Sequence, residues 1–224
     1  MSAPDSVVVL FDVDNTLFDN DALQEDLSQH LARHLGAASC DRYWSIFEAL
    51  RSELGYADYL GSLQRFRLEA PEDPRRLLLA SFLLEYPFAS RLYPGVFEAL
   101  AHMRRLGPTV ILSDGDAVYQ PRKIQRSGLW DAVQGRVLIY VHKEQMLDAL
   151  AERYPARRYL MVDDKLRILA AVKQHWGSRV SSIFPRQGRY ALDAAILASY
   201  PPADLSIAGI GELAGYDSGT LPPI

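Results

Sequence analysis

The stretch Val7-Val8-Val9-Leu10-Phe11-Asp12-Val13-Asp14-Asn15-Thr16-Leu17 decides both the fold and the chemistry of this chain. Its first five residues are an unbroken apolar run rich in β-branched side chains. A strand with one wet face alternates apolar and polar residues, whereas a strand covered on both faces of a parallel sheet reads as this run does. The second half carries two carboxylates two residues apart. Leaving one buried strand, they converge on one region, where their repulsion is costly unless a cation or a proton is shared between them. A hard divalent cation with oxygen ligands meets that need, and magnesium usually keeps waters and a substrate phosphate as well. The alternative is a pair of helix-capping aspartates. That accounts for one aspartate alone, but poorly for Asp-x-Asp-x-Thr behind a five-residue apolar run.

Outward from this stretch, Thr109 to Leu112, Val137 to Val141 and Tyr159 to Val162 read as further strands, and Val180 to Phe184 as a weaker one. Helical spacing of apolar residues separates them over Val96 to Leu106, Glu144 to Arg153 and Leu166 to His175. This alternation predicts an α/β fold, a Rossmann-like parallel sheet with helices on both faces. Residues 21–92 break the pattern. They hold helical periodicity (Leu23, Leu27, Leu31, Leu35, then Tyr43, Phe47, Leu50), prolines at 71, 74 and 87, and no convincing strand. The expected organisation is therefore a core of residues 1–20 and 93–224 with an all-helical insertion at 21–92. Tyr43, Trp44, Phe47, Tyr56 and Tyr59 of the insertion read as core aromatics, and the Gly- and Pro-rich tail from Pro201 as a surface wrap.

Three more strand ends carry polar residues where open parallel sheets bind ligands. Leu112-Ser113-Asp114-Gly115 offers a hydroxyl and backbone amides suited to a phosphate oxygen, although Ser-Asp-Gly is also a common turn. In Tyr140-Val141-His142-Lys143-Glu144, Lys143 opens the following helix and supplies a cation; Lys123 is the competing lysine. Val162-Asp163-Asp164-Lys165 again places two carboxylates after a buried strand.

In this order and at these spacings, the four segments resemble the motifs of the haloacid dehalogenase superfamily, and Asp-Val-Asp-Asn-Thr-Leu resembles its phosphatase branch. The resemblance covers about Val7 to Thr16 and Pro94 to Phe184. It implies Asp12 as a nucleophile that forms an aspartyl-phosphate, and Asp14 as general acid and then base. It implies Ser113, the Asp114 amide and Lys143 as binders of the transferring phosphoryl group. For the cofactor, Mg2+, it implies a carboxylate oxygen of Asp12, the backbone carbonyl of Asp14, and Asp164 as direct ligand, with Asp163 bound through water or orienting the loop. The third motif departs from the usual Lys-Pro, reading Lys-Glu. The helical insertion falls where this superfamily places a cap that closes over the site and selects the leaving group. Dehalogenases of the family lack an acid at the position of Asp14, and a phosphonatase would need a cap lysine where residues 21–92 hold none.

The expected activity is a magnesium-dependent phosphomonoester hydrolase acting on a small phosphorylated metabolite. A nucleotide or nucleic-acid end phosphatase, and a non-catalytic binder of a phosphorylated ligand, stand as alternatives. A formal net charge of -4 gives no bulk attraction to nucleic acid or to an anionic membrane. The lone Cys40 forms no internal disulfide, and no basic-then-apolar leader or bilayer-length apolar run occurs. The cytoplasm, and a monomer or homodimer, are the default expectations.

Overall fold

The computed structural model describes residues 6–217 and 219–222; the outer limits of the expected core, residues 1 and 224, lie outside them. Strand β1 (Val7–Phe11) sits inside a six-stranded sheet with β2 (Thr109–Asp114), β3 (Val137–Tyr140), β4 (Arg158–Val162), β5 (Val180–Pro185) and β6 (Leu205–Ile207). The order is β3-β2-β1-β4-β5-β6 and every pairing is parallel. The apolar run of β1 finds both of its faces covered. Val9 and Phe11 enter one core cluster, Val8 and Leu10 the other on the opposite face. The strand order reverses between β1 and β4, and at such a switch point the carboxyl ends of neighbouring strands open a crevice. Phe11 pairs with Val162 there, so Asp12 and Asp163 leave the sheet side by side.

Of the five α-helices between β1 and β2, the first four fall in the expected insertion: α1 (Asn20–Leu35), α2 (Ala37–Leu54), α3 (Tyr59–Leu68) and α4 (Arg75–Glu85). Asp19 starts α1 by accepting a hydrogen bond from the Ala22 amide at 2.9 Å. Leu23, Leu27 and Leu31, four residues apart, form its buried stripe. The helices pack on one another around Tyr43, Phe47, Tyr59 and Phe66, which are almost fully buried. Three of the five aromatics expected in a core are thus there, while Trp44 and Tyr56 are half-buried.

The remaining helices, α5 (Val96–Met103), α6 (Tyr119–Arg126), α7 (Leu129–Ala132), α8 (Leu147–Arg153), α9 (Leu166–Trp176), α10 (Gly188–Leu192) and α11 (Ala194–Ala198), connect the strands. Two local expectations differ from what forms. Lys143 begins a 3-10 turn, Lys143–Gln145, and α8 starts only at Leu147. The tail does more than wrap the surface: Leu205–Ile207 adds the edge strand β6, and the 3-10 turn Ile210–Gly215 buries Ile210 and Leu213 against the core. A three-residue strand between Gly and Pro carries too little periodicity to be read from sequence. No helix among the described residues is long and apolar enough to cross a membrane.

The turn into β2 presses on the start of β1. A methyl group at Gly107 would lie 1.9 Å from the Val7 carbonyl oxygen. Gly107→Ala should therefore lower unfolding stability by about 1–3 kcal/mol, as overpacking does, whereas Gly215→Ala, whose methyl meets nothing within 4 Å, should change it by less than about 0.5 kcal/mol. Urea unfolding of the two variants checks this; equal midpoints would contradict the packing of this turn.

Candidate active site

Asp12 follows β1 directly, and its amide continues the sheet ladder by donating to the Val162 carbonyl at 2.9 Å. The chain then turns sharply, with the amides of Thr16, Leu17 and Phe18 all donating to the Val13 carbonyl. Asn15 takes a left-handed backbone conformation (φ 62°), which asparagine tolerates better than most residues. Its Oδ1 accepts from the amides of Asn20 and Asp21 at 3.0 and 3.2 Å, fastening the first turn of α1. The Thr16 hydroxyl accepts from the Asp164 amide at 3.0 Å. The threonine of Asp-x-Asp-x-Thr therefore joins the loop after β1 to the loop after β4.

Each of the first two aspartates has its own lysine. Lys143 Nζ lies 2.5 Å from Asp12 Oδ1, 2.7 Å from Asp163 Oδ2 and 3.3 Å from the Leu112 carbonyl oxygen. Its backbone amide donates to Asp114 Oδ1 at 2.7 Å. The side chain of Asp114 thus fastens the lysine-bearing turn, a contact that sequence alone did not suggest. Lys123 Nζ lies 2.6 Å from Asp14 Oδ1 and 3.4 Å from Asn20 Oδ1, packed near the Phe18 and Tyr119 rings. Gln120 donates through Nε2 to Asp14 Oδ2 at 3.3 Å and to Ser113 Oγ at 2.9 Å. The two lysines that compete for one position in the sequence hold different carboxylates in the fold. Lys123 and Gln120 are three residues apart on one face of α6, a spacing visible in the sequence but silent about its target.

Asp12, Asp163 and Asp164 bring carboxylate oxygens within 4.8 Å of one another, and all three are buried. Asp14 is absent from this group because its carboxylate turns to Lys123 and Gln120. Asp12 Oδ2 and both oxygens of Asp164 have no hydrogen-bond partner. Buried carboxylate oxygens without donors are costly. Burial in turn pushes the Asp164 carboxyl well above the ordinary range, and that of Asp163 up to about 6, despite the Lys143 charge beside it. Burial opposes charging Lys143 and Lys165 as well, but the surrounding carboxylates outweigh it and raise both ammoniums above their usual values. With Asp114 included, four carboxylates face these two ammoniums. With all four carboxylates ionised the surplus is two negative charges, which one divalent cation would match. The donor set, all oxygen and with three orphaned atoms, fits magnesium; Asp12 and Asp164 would hold it, with Asp163 oriented by Lys143 and by the Lys165 amide at 2.8 Å.

Beside this cluster opens a cavity of about 300 Å³, lined by Asp14, Asn15, Asp114 and Lys165 of the strand-end loops and by Phe47, Arg51 and Tyr56 of the helical unit, among others. Gly55, which ends α2, seats directly on His142: a methyl there would lie 2.4 Å from the His142 ring. The helical unit therefore covers the residue preceding Lys143. Of the residues selected from sequence, Asp12, Asp163, Asp164 and Lys143 meet in one buried group. Asp14 and Asp114 reach the cavity, and Ser113 is buried at the end of β2, linked to Asp14 through Gln120.

The carboxyls of Asp163 and Asp164 bind protons more tightly folded than unfolded. The stability they confer is complete below the unfolded carboxyl value near 4 and is lost as pH rises, through about 6 for Asp163 and at higher pH for Asp164. In chelator, the urea midpoint of the wild type should therefore fall over this window relative to that of Asp164→Asn. Magnesium should restore the wild type and not the variant. Parallel pH profiles for the two proteins, with no magnesium effect, would contradict a cation-binding cluster.

The haloacid dehalogenase-like hydrolase family matches the chain over residues 7–175. A structure described as a haloacid dehalogenase-like hydrolase from Burkholderia xenovorans LB400 is 63% identical, covers 96% of this chain and 100% of its own, and superposes with a TM-score of 0.91. The HAD-hydrolase YfnB from Bacillus subtilis, solved bound to magnesium, is 17% identical with a TM-score of 0.61, covering 94% and 98%. The L-2-haloacid dehalogenase from Xanthobacter autotrophicus, solved with chloropropionic acid covalently bound, is also 17% identical with a TM-score of 0.61, covering 93% and 96%. These last two likenesses concern the fold. No curated protein sequence gives a match. With the strand order, the four strand-end loops and the family match over most of its length, the chain belongs to the haloacid dehalogenase-like hydrolases.

Proposed function

We propose that this hydrolase is a magnesium-dependent phosphomonoesterase that forms an aspartyl-phosphate on Asp12 and acts on a small phosphorylated metabolite. One observation carries this reading: Asp12 and Asp14 leave the same strand into different surroundings. Asp12 is buried against Lys143 in the acid cluster, while Asp14 keeps about a fifth of its side chain exposed, at 22%, and lines the cavity. Phosphoryl transfer to a carboxylate needs a nucleophile held for attack and a separate group that gives a proton to the departing oxygen. A displacement at a carbon–halogen bond releases halide, which needs neither a proton from an acid nor a divalent cation on a phosphoryl group.

In this mechanism an Asp12 oxygen attacks phosphorus, and the phosphorus–oxygen bond to the leaving group breaks. Asp14 supplies the proton that makes the leaving group an alcohol. A water then attacks phosphorus, Asp14 takes its proton, and the acyl-phosphate bond breaks to give phosphate and free Asp12. Lys143 neutralises Asp12 and the incoming phosphoryl group, and Ser113 and the Asp114 amide bind that group. A magnesium ion held by Asp12 and Asp164, with the Asp14 carbonyl, would add charge neutralisation of the phosphoryl oxygens. Lys123 and Gln120 keep Asp14 directed at the cavity. The helical unit, seated on His142 through Gly55, serves as the cap that excludes water.

The Xanthobacter enzyme gives a second reading, dehalogenation, the support of a shared fold and a covalent mode of action. The two readings separate in one assay of phosphate release from p-nitrophenyl phosphate and a metabolite panel, beside chloride release from 2-chloropropionate. Phosphate release that requires magnesium and is lost by at least about a thousand-fold in Asp12→Asn is expected. Chloride release, or wild-type-like turnover by Asp12→Asn, would overturn the proposal. Lys123→Met should lower kcat for phosphate release by about ten- to a hundred-fold, a part of what general acid–base catalysis supplies, with the Asp164-dependent magnesium stabilisation retained. An unchanged kcat would remove Lys123 from the positioning of Asp14.

A further inference from the structure

The cavity holds a second charge arrangement that the phosphoryl chemistry does not use. Arg51, at the end of α2 in the helical unit, and Arg189, at the start of α10 in the core, both line it. Their guanidiniums converge on one phenol: Arg51 Nη2 donates to Tyr190 Oη at 2.6 Å and Arg189 Nη2 at 3.4 Å. Both also lie near the Tyr190 ring, with Cζ 5.8 and 5.2 Å from its centroid. Two guanidiniums drawn to one phenol oxygen repel each other, and among the described residues no carboxylate pairs with both. Among the described residues Arg51 pairs only with Glu48, at 3.2 Å on the exposed side of its own helix, and Arg189 only with Asp21, at 3.7 Å. Such exposed or distant pairs hold little. Neither guanidinium pairs with Asp12, Asp14, Asp163 or Asp164, so neither belongs to the acid cluster.

Arg189 is nonetheless fixed to the loop that bears Asp14. Its amide donates to Asp21 Oδ2 at 2.7 Å, and Asp21 Oδ1 accepts from Asn15 Nδ2 at 3.2 Å. Gly188 packs so closely that a methyl there would lie 2.6 Å from the Asn15 Cβ. A cation whose backbone is anchored beside the Asp14 loop, facing a second cation from the opposite unit, is the arrangement that receives an anion bridging the two. The other lining arginine, Arg167, is held by Glu144 at 2.9 Å.

We infer that Arg51 and Arg189 form an anion subsite, and that the preferred substrate is a phosphomonoester whose leaving group carries a second anionic group, a carboxylate or a phosphate. This inference rests on the phosphomonoesterase reading for the word "substrate"; the subsite itself does not. A cavity of about 300 Å³ is at the lower end for small-molecule sites, which favours a short spacer between the two anions. Because one arginine comes from each unit, a bridging anion also ties the helical unit to the core.

The test uses three esters of one three-carbon skeleton: propane-1,3-diol monophosphate, 3-phosphooxypropionate and propane-1,3-diol bisphosphate, ending in a hydroxyl, a carboxylate and a phosphate. Their affinities for the inert Asp12→Asn protein with magnesium are measured by calorimetry, and phosphate release by the wild type is measured alongside. At least one anion-ended ester should bind about ten-fold or more tighter than the hydroxyl-ended ester, and comparison of the two tells carboxylate from phosphate. Adding Arg51→Met or Arg189→Met to Asp12→Asn should bring that ratio close to one. Equal affinities for all three esters, or a ratio unmoved by both arginine variants, would overturn the subsite. Discrimination in binding without any phosphate release by the wild type would uphold the subsite and overturn the phosphomonoesterase reading instead.

Discussion

Four carboxylates and two ammonium groups share the ground between β1 and β4, and much of the fold serves to hold them there. Asp12 and Asp163 emerge side by side because Phe11 pairs with Val162 across a parallel ladder. Lys143 arrives from beyond β3 and bonds to both. Like charges confined in this way destabilise a fold unless counter-charge is built in or bound. The two lysines supply part of that counter-charge. The oxygens left without donors on Asp12 and Asp164 mark where the rest is missing. Destabilisation of the resting protein and a donor set that fits a divalent cation are therefore two expressions of one charge imbalance.

The surrounding hydrogen bonds limit how the charged groups can relax. Thr16 ties the first loop to the Asp164 amide, Asp114 ties the second strand end to Lys143, and Gln120 links Ser113 to Asp14. All four strand-end loops are cross-connected before any ligand arrives. Such connections hold the strand-end polar groups in place, which is the preorganisation the proposed reaction would draw on. Asp14, drawn away by Lys123, faces the cavity instead of joining the acid cluster. That separation gives the two neighbouring aspartates different chemical surroundings.

The helical unit shares a buried apolar cluster with the core, including the Tyr59–Tyr119 ring contact, and adds specific contacts to it: Gly55 on His142, Arg122 Nε on the Leu84 carbonyl at 2.6 Å, and the polar chain from Gln24 through Tyr59 and Asn20 to Lys123. That chain ends at Asp14. The position of the helical unit is thereby coupled to a residue that lines the cavity by hydrogen bonds as well as by shape. The convergence of Arg51 and Arg189 on Tyr190 adds a second bridge between the same two units.

Much of this was written locally in the chain. An apolar run followed by Asp-x-Asp-x-Thr specifies a doubly covered strand and a carboxylate-bearing loop, because strand burial and loop chemistry depend on neighbouring residues. The parallel α/β architecture and the helical character of the chain between β1 and β2 followed from periodicity for the same reason. The edge strand β6 did not, since three residues are too few to show a period. The sequence also left open which lysine serves which aspartate. Lys123 and Lys143 are each more than a hundred positions from their partners, and only the stacking of β1, β2 and β3 sets those distances. The same holds for the side chain of Asp114, for Gln120, and for the meeting of Arg51 with Arg189. Propensity and pattern act within a few residues along the chain, whereas charge pairing acts through space, so the fold had to exist before these partners could be known.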